Sequence, residues 1–94
     1  MRSIWKYTLA VKDEQSVLMP RGAKLLTVQA QRDDICLWAE VEAEAPKEPR
    51  VFRVFGTGQP LCSDDGRRAY VGTAQLLRPG LVFHVYEQCP PKTL

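Results

Sequence analysis

The sequence predicts a mainly β protein: one small antiparallel sandwich or barrel of about seven strands. Three observations carry this. Val, Thr, Phe, Tyr and Trp recur in short runs separated by Gly, Pro and Asp, the punctuation of strands joined by tight turns. Ile35 to Glu44 alternates with a period of two, which implies one buried and one wet face. The 94 residues suffice for one domain with a modest core and not for two. The domain is expected over residues 1–88, with 89–94 as a frayed tail because Cys89-Pro90-Pro91 cannot extend a central strand.

The elements follow in order. Ser3 to Ala10 is the first strand, with Trp5, Tyr7 and Leu9 on one face and Lys6 and Thr8 on the other. Asp13-Glu14 turns the chain into a short second strand, Ser16 to Met19, ended by Pro20-Arg21-Gly22. Lys24 to Gln31 is the third, and Arg32-Asp33-Asp34 turns it back. In the fourth, Ile35 to Glu44, Ile35, Leu37, Ala39, Val41 and Ala43 face one way, and Cys36, Trp38, Glu40, Glu42 and Glu44 the other. Ala and Glu also favour helices, but the tight turn before this segment and the strand after it favour a hairpin. Pro46-Lys47-Glu48-Pro49 breaks it. Arg50 to Phe55 is the fifth strand, Tyr70 to Leu77 the sixth and Leu81 to Glu87 the seventh. Between the fifth and sixth, Ser63-Asp64-Asp65-Gly66 is the strongest turn signal, and a helical turn within 61–69 is compatible with it. The chain has no Asn, so turns needing positive φ must use Gly and Asp.

Composition narrows the functions. Net charge is +2, too small for a general electrostatic grip on nucleic acid. No apolar run approaches the roughly 18 residues of a membrane span, and Met1 to Tyr7 alternates instead of forming the apolar block of a signal peptide. A cytoplasmic protein is expected. Three separated cysteines, Cys36, Cys62 and Cys89, form neither a metal knuckle nor a disulfide framework and read as free thiols.

No residue pattern encodes a catalyst. Gly56-Thr57-Gly58 lacks the third glycine of a dinucleotide loop and the Gly-Lys-Ser/Thr of a Walker loop, so it reads as a strand-ending turn. His84 is the only histidine, and no motif spacing supplies metal ligands beside it. Asp64 and Asp65 diverge on an extended chain and read as turn formers. No metal site and no cofactor are expected. Arg50, Arg53, Arg67, Arg68 and Arg78 interleave with Phe52, Phe55 and Tyr70, a composition that single-stranded nucleic-acid binding would use, but β cores need aromatics too. Trp38 shares its face with three glutamates, where a Trp usually covers a neighbour or a subunit interface.

Ile4-Trp5-Lys6-Tyr7, Leu18-Met19-Pro20-Arg21-Gly22-Ala23-Lys24-Leu25-Leu26-Thr27-Val28-Gln29, Leu37-Trp38-Ala39, Phe55-Gly56-Thr57-Gly58-Gln59-Pro60, Tyr70-Val71-Gly72-Thr73 and Leu81-Val82-Phe83-His84-Val85-Tyr86-Glu87 occur in that order. The set resembles a family of small proteins of unknown function from tailed phages and prophages. The resemblance covers residues 3 to 88. It implies a phage or prophage setting and no established activity. In that family the glycine turn is commonly followed by histidine; here Gln59 stands there.

The expected function is therefore a non-catalytic accessory binding protein, homo-oligomeric and in the bacterial cytoplasm. It would counteract host defence by binding a host protein or sequestering a small molecule. The expected surface comprises Trp38, Arg53, Phe55, Gly56, Thr57, Gly58, Gln59, His84 and Tyr86. The alternatives are a minor virion or assembly component and a single-stranded nucleic-acid-binding module.

Overall fold

The computed structural model describes residues 1–61, 67–78 and 80–89. Its strands are β1 (Arg2–Leu9), β2 (Glu14–Pro20), β3 (Lys24–Gln31), β4 (Asp34–Glu42), β5 (Lys47–Gly56), β6 (Arg68–Gln75) and β7 (Val82–Gln88). They form two antiparallel sheets, β1-β4-β3 and β2-β5-β7-β6, packed as a small β-sandwich. The turn signal at residues 63–66, the helical turn considered beside it, Cys62, and tail residues 90–94 lie outside the described residues.

Period-two alternation builds the core. Leu9, Val28, Ile35, Leu37, Ala39 and Val41 come from the first sheet, and Met19, Phe52, Val54, Ala74 and Val85 from the second. Ile35 to Glu44 is a strand and not a helix, shortened to end at Glu42. Cys36 lies on the outer side of β4 yet is buried. The Lys6 Nζ donates to Gln31 Oε1 at 2.6 Å. Lys6 pairs at Trp38 and Gln31 at Asp34, so this link passes over Cys36 and shields it.

Only β3 keeps the bounds expected from sequence; the other strands shift by one to three residues at one or both ends. β2 extends to Glu14 and Pro20 because its whole length pairs with β5. Pro49 was expected to be a breaker but lies inside β5. Even-numbered residues of β5 bond to β2, so the Pro49 nitrogen faces away from β2 and that ladder loses no bond. The β3–β4 hairpin turns through Arg32 and Asp33, both with positive φ, as a two-residue primed turn requires. Asp33 was foreseen in that role; Arg32 was not.

Where β3 crosses β6 the sheets nearly touch. A Cβ built on Gly72 would stand 2.9 Å from Val28 Cβ, so only glycine fits this crossing without displacement.

Candidate functional site: an aromatic and basic face beside the Gly56–Gln59 turn

Alternate residues of β5, β7 and β6 point away from the core. In register they set Arg53 beside Tyr86 and Phe55 beside His84, with Tyr70 and Thr73 beyond them on β6. The rings meet edge to face: Phe55 and Tyr86 with centroids 5.8 Å apart, Tyr70 and Tyr86 with centroids 5.5 Å apart. Guanidinium groups cover them. Arg53 lies 5.3 Å from the Phe55 centroid, and Arg68 lies 5.7 Å from Phe55 and 5.8 Å from Tyr86, within cation–π range.

At one end the Gly56–Gln59 turn overhangs this face. Gln59 N–H donates to Gly56 O at 3.0 Å, and Gly56 N–H donates to Gln59 Oε1 at 3.0 Å. Gly58 supplies the positive φ such a turn requires at its third position. Gln59 thus locks the turn with its own amide. His84 links turn and sheet: Nε2 is 2.7 Å from Thr57 Oγ1 and Nδ1 is 3.0 Å from Thr73 Oγ1. Tyr70 Oη bonds Thr73 Oγ1 in turn. Phe55, Gly56, Thr57, Gly58, Gln59, Leu61, His84 and Tyr86 enclose a hollow of about 240 Å³.

Eight of the nine residues expected at the site are therefore gathered on one face. Trp38 is not: it lies on the outer side of β4 in the other sheet, paired with Lys6 and Thr27. Phe55 departs from expectation in another way, being only 3% exposed beneath the two arginines. Tyr70 is the ring left accessible, at 60% exposure. Of the arginines grouped by sequence, Arg53 and Arg68 reach this face, Arg50 points to the core side, and Arg78 pairs with Asp33 at 2.8 Å.

A second concavity was not legible in the sequence. At the opposite end of the sandwich, Gly22, Ala23, Arg67, Gln88 and Cys89 help line a cleft of about 770 Å³. In it Arg50 Nε and Nη2 donate to Glu87 Oε2 and Oε1 at 2.6 and 2.9 Å, and Nη1 donates to Ala23 O at 2.6 Å. The Glu87 bonds hold the guanidinium protonated above its ordinary range, against the opposing effect of burial. Burial also raises the Tyr7 phenol, with the Arg50 charge pulling the other way. The Tyr7 hydroxyl is buried with no partner. Cys89 N–H donates to Arg67 O at 2.7 Å, closing the cleft's rim.

Among the described residues no group of His, Cys, Asp and Glu gathers as a metal site. Among them, too, no helix is long and apolar enough to cross a membrane.

A family model described as a domain of unknown function, DUF7352, matches residues 1–93. The chain belongs to this family. The family description states no activity and no phage origin. A comparison with curated proteins found no match, and one with solved structures found none either.

Proposed function

We propose that this domain is a non-catalytic binding module that docks a partner protein on the outer face of β5, β7 and β6, at the Gly56–Gln59 turn. The observation carrying this reading is the hollow itself. At about 240 Å³ it falls below the roughly 300–1,000 Å³ typical of small-molecule sites. It suits a single side chain anchored from a larger partner, the way interface hot spots are built. Leu61 on its wall and Tyr70 beside it offer exposed apolar surface, His84 adds a polar group to the lining, and Arg53 and Arg68 lie over the adjoining rings. A partner surface that presents one apolar or aromatic side chain is the complement. The phage setting, the bacterial cytoplasm and the action against host defence rest on the resemblance and the composition, and belong to this proposal on that footing.

A second reading has its own observation. The cleft at the opposite end, about 770 Å³ with a charged Arg50–Glu87 floor, lies within the size range of small-molecule sites and favours sequestration of a small polar molecule. Nucleic-acid stacking is less favoured, because Phe55 is closed off and Tyr70 alone presents a well-exposed ring. Leu61→Glu and Tyr70→Ala test the docking face: both positions are exposed, so the fold tolerates them while the partner contact is lost.

A further inference from the structure

Four strands end the two sheets, and each edge is a row of backbone groups seeking partners. The β3 and β6 edges lie against one another at the Val28–Gly72 crossing. On β2, the Arg21 N–H to Pro46 O and Val54 N–H to Asp13 O bonds fix the phase of its ladder with β5. Its outward residues are therefore Glu14, Ser16, Leu18 and Pro20, and Pro20 has no N–H to offer. β1 has no proline, and its outward run of four residues is longer than the three left on β2.

The phase of β1 is equally fixed. Ala43 N–H donates to Met1 O at 3.0 Å, so the odd-numbered residues of β1 bond to β4. Arg2, Ile4, Lys6 and Thr8 turn their N–H and C=O groups outward. Ala10 confirms this phase. Its N–H donates to Gln15 Oε1 at 2.9 Å, and its C=O accepts from Gln15 Nε2 at 2.7 Å. The Gln15 amide imitates a paired strand there and stops at Ala10. The outward groups of Arg2, Ile4, Lys6 and Thr8 have no protein partner among the described residues.

Lys and Arg on an edge usually repel a second strand. Here both are drawn away from it. Arg2 Nε donates to Glu40 at 2.7 Å and Lys6 Nζ to Gln31 at 2.6 Å, back across the outer face of the sheet. Ile4 stays 61% exposed between them.

We propose that two copies of this chain pair antiparallel through β1, joining their three-stranded sheets into one of six strands. The two-fold axis falls at Trp5. That register sets Arg2 opposite the partner's Thr8 and Ile4 opposite the partner's Lys6, and it uses all four outward residues. Centring on Lys6 would oppose two lysines, and centring on Ile4 would oppose Arg2 and Lys6; like charges directly opposite are unfavourable. The β1 edge lies on the other sheet from the docking face of β5, β7 and β6, so pairing does not depend on the proposed function.

Sedimentation velocity over a concentration series tests this on the wild type, Lys6→Pro, Ile4→Lys and Ile4→Glu. Lys6→Pro removes an outward N–H and spares the bonds to β4. Ile4→Lys sets a lysine against the partner's Lys6 at two symmetry-related places, and Ile4→Glu sets a carboxylate there. The wild type should dimerise, Lys6→Pro should be monomeric, Ile4→Lys should weaken the dimer about tenfold, and Ile4→Glu should strengthen it. If Lys6→Pro fails to fold, the two Ile4 variants decide. A monomeric wild type, or a dimer indifferent to both Ile4 variants, overturns the proposal.

Discussion

Arg50 and Glu87 meet diagonally across β5 and β7 on the core side of their sheet, joined by two hydrogen bonds of 2.6 and 2.9 Å. A third Arg50 bond, to Ala23 O, ties this pair to the β2–β3 turn. The ion pair thus clamps two strands and a turn at the end of the sandwich where the apolar core gives out. Removing one member of a buried pair strands the other's charge, at roughly 3–5 kcal/mol. The two side chains here are 19% and 20% exposed, which softens the cost. Glu87→Ala should therefore lose about 2–3 kcal/mol in urea unfolding. A loss of about 0.5 kcal/mol or less would class the pair with ordinary surface bridges.

The Gly72–Val28 crossing gives a sharper test of packing. Gly72→Ala forces a new methyl to 2.9 Å from Val28 Cβ and 3.1 Å from its backbone nitrogen, and the backbone cannot yield cheaply. It should destabilise by about 1–3 kcal/mol, as overpacking does. Gly56→Ala is the control: its nearest neighbours would lie at 3.8 and 3.9 Å, ordinary contact, so its effect should stay within about 0.5 kcal/mol. Thermal unfolding of both variants checks the contrast.

Acid sensitivity should have an outer-face component. The Arg2 hydrogen bond and charge hold the Glu40 carboxyl below its usual 4.5. A carboxyl whose folded value is lowered stabilises fully above its unfolded value, and loses that stabilisation as pH falls through the folded one. Unfolding temperature followed below pH 4.5 should fall less steeply for Glu40→Gln than for the wild type. The difference should shrink in high salt, since the pair is open to solvent.

All seven strands were legible in the sequence because β-branched and aromatic runs were cleanly punctuated. Their ends were not. Pro49 reads as a breaker, but whether a proline breaks a strand depends on which neighbour its nitrogen faces, and that is a fact of pairing. The docking face was half legible: alternation puts Arg53 with Phe55 and His84 with Tyr86, and the glycine turn flags the loop. Trp38 was misplaced because one-strand periodicity assigns a side and not a sheet. The Arg50–Glu87 cleft gave no signal, since a pair 37 residues apart meets only once β5 and β7 are in register.

The most direct test of the central claim is quantitative capture from cell lysate by immobilised wild type, Leu61→Glu, Tyr70→Ala and the β1-edge variant Ile4→Lys, read by mass spectrometry. The account predicts a protein retained by wild type and Ile4→Lys and lost, roughly tenfold or more, from Leu61→Glu and Tyr70→Ala. A captured set that both docking-face variants leave unchanged would contradict it.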